Sequence, residues 1–253
     1  MLNSNMKFHF LSQTKSKHLK LRNLVLENSD KVIVTSNKLK NYYDKFSSNV
    51  VMITNGYDRS YIKYDLDKNF TITHVGSLYP DRNPEILWQV LETMCLNIKG
   101  FEDHFNLRLI GNIDKKIEKR LSISKFSKCI SFKGYISEKD TYSYIFSSQL
   151  LLMVESFESV MSYVIPGKFF NYLFSKRPII AIGPTNSEIK QVMNKLQCGN
   201  YFTEDQKEAL HNYLKVSYEK FLKNDLKSGK FSAEKYDREN LTKKLVELLN
   251  KKK

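Results

Sequence analysis

The chain has 253 residues, of which 41% are hydrophobic, so it can bury one large or two modest cores, and a disordered chain is excluded. Its 41 basic and 27 acidic residues give a formal net charge of +14. This excess suits a polyanionic partner such as nucleic acid, anionic lipid or a phosphorylated substrate, although a solvated lysine-rich surface explains most of the scattered lysines better.

The first part of the chain, residues 1–56, has too few elements to form a covered sheet by itself. Apolar patterns predict, in chain order, a helix over 12–28, a strand over 31–35, a helix over 37–46 and a strand over 50–54. The turn Asn55-Gly56-Tyr57-Asp58 follows and marks the best domain boundary.

Residues 57–235 predict a complete α/β domain. Its strands are expected at 71–76, 107–111, 130–133, 150–154 and 178–182, with helical patterns between most of them. The strand over 150–154 is wholly apolar, which is typical of a parallel strand covered on both faces. The alternation predicts a doubly wound, Rossmann-like parallel sheet.

One of these helices has clear start signals. The apolar residues Ile86, Leu87, Val90, Leu91 and Met94 recur at helical spacing. Asn83 is expected to cap this helix, and Pro84 suits its first position. Trp88 fits the core of the same helix better than a surface that stacks on sugars.

Two local patterns are candidate phosphate sites. The strand over 71–76 ends at Gly76-Ser77, where a glycine lets a phosphate approach the backbone, and Arg82 follows within reach. Pro166-Gly167 opens a helix whose first turn contains Lys168, a position where a cation is unfavourable unless it faces an anion. The alternatives are an ordinary strand-to-helix turn and a solvated lysine.

The other reactive side chains suggest less specific chemistry. His74 lies within a strand and is interpreted as a packed core residue, and the remaining histidines lack metal-ligand spacing. Glu155 and Glu158 follow a strand end, where a loop carboxylate is the simpler interpretation than a contact with a sugar. Metal-independent chemistry is expected.

Cysteine usage and hydropathy predict the compartment. Cys95, Cys129 and Cys198 include no C-x-x-C pair, which indicates neither a disulfide framework nor a zinc site. Cys129 and Cys198 flank apolar segments as small core residues. No apolar run is long enough for a signal peptide or a membrane span, which predicts a soluble cytoplasmic protein that can still lie on a membrane surface.

Six motifs in order resemble the second half of retaining glycosyltransferases with the two-domain GT-B fold, most closely the bacterial family-four enzymes. They are N-G-Y-D (55–58), V-G-S-L (75–78), L-I-G (109–111), F-K-G-Y (132–135), P-G-K-F-F-N-Y-L (166–173) and K-R-P-I-I-A-I-G (176–183). Residues 30–36 resemble the last strand of the family's N-terminal domain. The resemblance covers residues 12–250.

The resemblance implies a role for each matching residue in binding a nucleotide diphosphate sugar. The diphosphate or sugar would contact Gly76, Ser77, Arg82, Gly167 and Lys168, and the nucleoside would contact Gly111, Gly134, Tyr135 and Asn171. Asn171 stands where the family has a glutamate that binds the ribose hydroxyls, and an amide can also bond a hydroxyl. Ser77 stands where many members have an arginine.

The resemblance also implies an activity and partners. The chain would transfer a sugar from a nucleotide donor to a glycan or lipid-linked acceptor, without a cofactor, in surface polysaccharide or lipopolysaccharide synthesis. Residues 1–56 would be a remnant of the acceptor domain, and a final helix in 236–253 would pack back on them. Its apolar stripe consists of Leu241, Leu245, Leu248 and Leu249.

Two other hypotheses remain. The chain could be a non-catalytic remnant or subunit that binds nucleotide and needs a separate acceptor-binding half. A nucleic-acid-binding domain rests on charge alone, since no RNA-binding signature or helix-turn-helix is present, so no nucleic-acid partner is expected.

Overall fold

A computed structural model of the chain describes residues 12–59, 64–157 and 163–250. These residues form an α/β structure with two parallel sheets. The termini of the predicted segments 1–56 and 236–253, residues 1–11 and 251–253, lie outside the described residues.

The N-terminal elements form a small sheet flanked by two helices. They are, in chain order, α1 Ser12–Asn28, β1 Val32–Val34, α2 Asn37–Tyr43 and β2 Val50–Met52. The two strands pair in parallel, and Val32 lies opposite Val50. In the described part of the chain this sheet has no third strand.

The large sheet contains the remaining strands. Its elements are β3 Phe70–Val75, α3 Glu85–Asn97, α4 Phe101–His104, β4 Phe105–Ile110, α5 Lys115–Ser122, β5 Ile130–Gly134, α6 Glu138–Ser147, β6 Leu150–Val154, α7 Gly167–Ser175, β7 Ile179–Ile182, α8 Glu188–Leu196, β8 Gly199–Phe202, α9 Lys207–Leu222 and α10 Arg238–Asn250.

All six strands of the large sheet are parallel, in the order β5-β4-β3-β6-β7-β8. This is the strand order of the dinucleotide-binding Rossmann fold. After β3 the chain adds strands toward one edge of the sheet, and after β5 it crosses back to add β6 on the other side of β3. The strand order therefore reverses between the neighbours β3 and β6. The sequence-based prediction of a doubly wound Rossmann-like sheet is confirmed.

Two hydrophobic cores cover the two faces of this sheet, which explains why β6 is apolar along its whole length. Alternate side chains of a strand point to opposite faces. One core contains Leu150, Leu152 and Val154 with Trp88, and the other contains Leu151 and Met153 with Phe169 and Tyr172. Trp88 is fully buried, as the helical spacing predicted.

The predicted start of α3 is wrong in detail. Pro84 occupies the N-cap position without a side-chain cap, and α3 begins at Glu85. The Asn83 side chain instead accepts a hydrogen bond of 2.7 Å from the indole of Trp88. The buried indole N–H needs an acceptor, and this local contact, five residues along the chain, uses the amide that would otherwise cap the helix.

Strand β8 was not predicted from the sequence. It is four residues long and only its last two side chains are large, so it shows little periodicity. Gly199 has φ +146, and an added Cβ would lie 2.6 Å from the backbone nitrogen of Ile179 in β7. Only glycine allows the two strands to approach this closely.

The turn at residues 55–58 contacts the beginning of α10. The Tyr57 N–H donates to the carbonyl of Tyr236 at 3.0 Å, and the Arg238 N–H donates to the carbonyl of Tyr57 at 3.0 Å. Leu241 is buried, and an added Cβ at Gly56 would lie 2.6 Å from its Cδ1. Further along α10, Leu249 is 73% exposed.

Among residues 12–59, 64–157 and 163–250, no helix combines the length and the apolar character that crossing a bilayer demands.

Candidate functional site

The candidate site lies at the carboxyl ends of β3 and β6. In open α/β sheets, ligands bind in the crevice at this edge, where the strand order reverses. Gly76 directly follows β3, and α7 begins at Gly167 nearby. The two local patterns that the sequence analysis singled out therefore meet at the topological switch point.

Gly76 lies against Lys168. Gly76 has φ +119, and its N–H donates to the carbonyl of Ile110 at 2.7 Å. An added Cβ at Gly76 would lie 3.0 Å from the Nζ of Lys168. A side chain at this position would therefore displace the ammonium.

Gly111 supports Gly76 from the neighbouring strand. It has φ +124, and an added Cβ would lie 2.6 Å from the carbonyl oxygen of Gly76. Its N–H donates to the carbonyl of Gly134 at 2.7 Å. Gly111 thus lies behind Gly76, while Gly134 is exposed at the end of β5. Ser77 is half-buried directly after Gly76.

Lys168 is a half-buried cation without a carboxylate partner among the described residues. Burial, followed by the positive charge of Arg82, lowers the pKa of Lys168 to about 7. Its Nζ lies 3.5 Å from the Nε2 of His74. A cation in the first turn of a helix is unfavourable with respect to the helix dipole. An anion bound in the cleft would offset the unfavourable effects of burial, of the Arg82 charge and of the helix dipole on the Lys168 ammonium.

Arg82 is the second cation of the site. Its side chain is mostly buried, and within the described residues its Nε has no hydrogen-bond partner. The nearest carboxylate is that of Asp81, whose Oδ2 lies 3.7 Å from this Nε. A buried N–H without a protein partner costs free energy, and an anionic ligand would satisfy the Nε of Arg82, although the Nε atoms of Arg108 and Arg177 are unpaired in the same way.

His74 is fully buried in β3, as predicted for a packed core residue. Its Nδ1 lies 3.0 Å from the carbonyl oxygen of Leu152, which can only accept, so Nδ1 has the proton. Burial, followed by the charge of Lys168, lowers the pKa of His74 well below its usual value. The ring is therefore neutral, and its Nε2 lies 3.5 Å from the Nζ of Lys168, with the Gly76 backbone as a further hydrogen-bond partner of the ring.

A cavity of about 310 Å³ opens beside Lys168. Four of the predicted site residues line it: Tyr135, Gly167, Lys168 and Asn171. Tyr135 is 90% exposed at its mouth, and an added Cβ at Gly167 would meet no atom within 4 Å. The volume is at the lower end of the range for small-molecule sites.

Asn171 is oriented by a residue that the sequence analysis did not identify. The hydroxyl of Tyr142, on α6, donates to the Oδ1 of Asn171 at 3.3 Å. Burial raises the pKa of Tyr142, so this hydroxyl remains a donor. The amide nitrogen of Asn171 is thereby left to face other partners. Sequence spacing offers no signal for this pair, because its members belong to different helices.

A second cluster lies at the end of β6, around Glu155. Its carboxylate accepts hydrogen bonds from the hydroxyls of Ser187, at 2.6 Å to Oε2, and of Tyr201, at 3.4 Å. Burial raises the pKa of Glu155 to about 7, while these hydrogen bonds and the charge of Lys38 act in the opposite direction. Glu155 is thus a buried, internally bonded carboxylate, and Glu158 lies outside the described residues.

Glu188, the first residue of α8, fixes the start of α2. Its carboxylate accepts hydrogen bonds from the backbone and side chain of Asn37, at 2.9 and 2.8 Å, and from the Lys38 N–H at 3.3 Å. Ser36 also caps α2 by accepting from the Leu39 N–H. Because Glu188 is buried, this contact anchors the N-terminal elements on the large sheet's helices.

In the described part of the chain, no group of three or more histidine, cysteine, aspartate or glutamate residues could hold a metal ion. Cys129 and Cys198 are buried, as the sequence predicted.

No family model and no curated protein matches the sequence. Solved structures do match. HepE of Anabaena in complex with UDP-glucose superposes with a TM-score of 0.69 at 16% identity, over 94% of this chain and 68% of HepE. WaaG, a glycosyltransferase involved in lipopolysaccharide biosynthesis, gives 0.67 at 13% identity, over 95% of this chain and 69% of WaaG. Sucrose-phosphate synthase of Thermosynechococcus elongatus gives 0.65 at 17%, over 97% and 63%.

These similarities establish the fold. The chain has the Rossmann-like α/β architecture of GT-B glycosyltransferases, as the six motifs implied. It spans about two thirds of HepE and WaaG and 48% of TarM of S. aureus. Identities of this size show a common fold and do not by themselves assign a substrate.

Proposed function

We propose that the chain is a nucleotide-sugar glycosyltransferase whose donor diphosphate binds between Gly76 and the start of α7. The observation that supports this best is the pair of cations Lys168 and Arg82, which converge at the switch point of a Rossmann-like sheet. Among the described residues, the only carboxylate in an ion pair with either cation is Asp81, at 3.7 Å. A diphosphate is an anion of suitable charge for this arrangement.

The proposed chemistry follows from where charge develops. In glycosyl transfer the bond from the anomeric carbon to the diphosphate breaks, the acceptor oxygen bonds to that carbon, and the hydroxyl proton is released. Negative charge grows on the leaving diphosphate. Lys168, Arg82 and the free N–H groups at the start of α7 would stabilise it.

The cavity that Lys168 lines would take the nucleoside. Its size suits a base and ribose, Tyr135 offers an aromatic face at the mouth, and Asn171 offers an amide to a ribose hydroxyl. Ser77, Gly111 and Gly134 would border the donor as the family resemblance implies.

The finer assignment extends the neighbours' activities to this chain. HepE binds UDP-glucose, and WaaG acts in lipopolysaccharide biosynthesis. The proposal is a retaining, family-four type of hexosyl transfer from a nucleotide sugar to a glycan or lipid-linked acceptor, without a cofactor. It would take place in surface polysaccharide synthesis, in the cytoplasm or at the membrane surface.

A non-catalytic subunit is the second candidate, and the exposed face of the N-terminal elements favours it. On α1, Leu24 is 57% and Val25 is 61% exposed, and a groove of about 390 Å³ lies between α1 and β1. Such a face invites a partner. In this case a separate acceptor-binding half would cover it and restore transfer.

Calorimetry with uridine, guanosine, adenosine and thymidine diphosphates tests the donor site. Lys168→Ala is expected to weaken the preferred diphosphate by about 1–3 kcal/mol, because a charge-assisted hydrogen bond is lost. Lys115→Ala is the matched control, since Lys115 is also in the first turn of a helix but is exposed. Equal affinity of wild type and Lys168→Ala would contradict the assignment.

Turnover separates the enzyme from the subunit. Release of nucleoside diphosphate from its sugar ester, stimulated by added glycan or lipid-linked acceptors, is expected for the enzyme. Tight binding without any acceptor-dependent release would favour the subunit.

A further inference from the structure

We propose that His74 is a positioning residue for the donor: it holds the ammonium of Lys168 in the cleft by accepting a hydrogen bond at Nε2. This inference rests on the proposed function, in which Lys168 binds the diphosphate. The resemblance to known enzymes gives His74 no role, and the sequence suggested only a packed core residue.

The imidazole is fixed from the side of β6. His74 and Leu152 are opposite each other in neighbouring strands, and the Nδ1–H donates to the Leu152 carbonyl at 3.0 Å. The hydroxyl of Tyr172 donates to the same carbonyl at 3.3 Å and accepts from the Val75 N–H at 2.9 Å. Both rings are fully buried, and the bond to the Leu152 carbonyl orients the His74 ring and places a proton on Nδ1, while the Gly76 backbone is a second hydrogen-bond partner of the ring.

The opposite ring nitrogen faces the cleft. Nε2 lies 3.5 Å from the Nζ of Lys168, and the Lys168 chain runs past Gly76, with an added Cβ there 3.0 Å from Nζ and 3.7 Å from Cε. Gly76 and His74 thus confine the ammonium from two sides. The glycine provides the space, and the histidine provides the acceptor.

A neutral acceptor has a specific advantage at this position. A carboxylate would also orient the ammonium, but it would cancel the positive charge that the diphosphate needs. The neutral imidazole bonds one N–H of Lys168 and leaves its charge and its other two N–H groups to the ligand. His74 therefore orients the cation without neutralising it.

The protonation states agree with this role. The titratable and charged groups near Lys168 in the described residues include His74, Arg82, Asp81 and Tyr172, and Glu138, Arg238 and Tyr135 line the same cavity as Lys168. Burial, then Lys168, keeps the pKa of His74 well below its usual value, so His74 stays neutral above pH 7. The pKa of Lys168 is lowered to about 7, so Lys168 loses its proton as the pH rises through that value.

A pair of substitutions at His74 tests the proposal. His74→Phe removes the acceptor and is expected to weaken nucleoside diphosphate binding about fivefold to tenfold, whereas His74→Gln retains an acceptor and should stay within about twofold of wild type. Nucleoside affinity should not change in either variant. Thermal unfolding checks that both variants fold. If His74→Phe does not fold, His74→Gln still tests the proposal, because a loss of diphosphate affinity well beyond twofold in that variant would contradict it.

A double-mutant cycle shows whether His74 acts through Lys168. In a Lys168→Met background, His74→Phe should change diphosphate affinity by less than about twofold, because the group that it positions is gone. An equal loss in both backgrounds would overturn the proposal and leave His74 as a core residue only.

Titration of the ligand-free protein separates this proposal from the proposed function. NMR of lysine labelled at Cε, assigned with Lys168→Met, follows the Lys168 pKa, which should fall further in His74→Phe because the ammonium loses its acceptor. An unchanged Lys168 pKa would refute the positioning role. If wild type binds no nucleoside diphosphate, the proposed function fails, and this titration alone decides the contact.

Discussion

The ends of β3 and β6 hold two clusters of charged side chains. The two clusters differ in the hydrogen-bond partners that their charged groups have. Beside β3, Lys168 has a neutral imidazole as its partner, and Arg82 has a free Nε. Beside β6, Glu155 accepts hydrogen bonds from Ser187 and Tyr201. Burial brings the pKa of both Lys168 and Glu155 to about 7, from opposite directions.

The comparison separates a ligand site from a structural cluster. Glu155 and Glu188 find their donors within the chain, and Glu188 in addition joins α8 to the start of α2. The cations of the β3 cluster lack comparable partners among the described residues. We infer that the β6 cluster stabilises the fold, whereas the β3 cluster lowers the stability of the ligand-free protein and binds an anion.

The largest expected effect concerns Glu188, the chain neighbour of Ser187 in the structural cluster. Glu188→Ala should lower the free energy of unfolding by about 2–3 kcal/mol, because three donors of Asn37 and Lys38 lose a buried carboxylate. Urea denaturation measures it. Glu188→Gln should lose less, and Glu208→Ala, in the exposed first turn of α9, should have little effect. A loss of diphosphate affinity in a folded Glu188→Ala protein would break the separation of the two clusters.

Gly76→Ala should affect the fold and the ligand together. The positive φ is expected to cost about 1–2 kcal/mol of stability. The added methyl group would also push the Lys168 ammonium away, so diphosphate affinity should fall about tenfold. Gly100→Ala is the matched control, because Gly100 has φ +76 but no atom of the chain closer than 3.8 Å to an added Cβ. It should lose stability only, and equal affinity losses in both variants would point to a general effect of strain.

The smallest effects are two opposite trends of stability with pH. The pKa of Glu155 in the folded protein is raised to about 7. Protonated Glu155 therefore adds to the free energy of unfolding in full below the pKa of the unfolded chain, and this stabilisation is lost as the pH rises to 7. The pKa of Lys168 is lowered to about 7, so the unfolded chain binds the extra proton above pH 7, and stability rises from pH 7 to 9. Each trend should amount to about 1–2 kcal/mol.

Two variants identify the groups responsible for these trends. Unfolding free energies of Glu155→Gln should lack the first trend, and those of Lys168→Met should lack the second. Lys168→Met should also be more stable than wild type at pH 7. If Lys168→Met were less stable there, the ammonium would have a partner that offsets its burial, contrary to the comparison.

Local patterns in the sequence predicted much of the fold and part of the site. Wholly apolar runs such as Leu150–Val154 indicated buried parallel strands, and the glycine at the end of β3 and the P-G-K start of α7 indicated the two sides of the cleft. These features depend on residues adjacent in the chain, where periodicity and turn chemistry are informative.

The missed features depend on contacts between distant residues. His74 and Lys168 are 94 positions apart, and Glu155 and Ser187 are 32 apart. Neither periodicity nor spacing encodes such partners, because the fold determines which strand ends meet.

Proton uptake on binding tests the central claim most directly. Calorimetric titration of UDP into the wild-type protein at pH 8, in two buffers of different ionisation enthalpy, counts the protons bound. Near this pH the ligand's phosphate, with a pKa of about 6, is already ionised, whereas Lys168 is mostly neutral until an anion raises its pKa. We predict uptake of most of one proton by wild type and none by Lys168→Arg, which is charged throughout. Binding of UDP by wild type without proton uptake, or no preference for UDP over the monophosphate, would contradict the assignment of Lys168 and Arg82 as the diphosphate site.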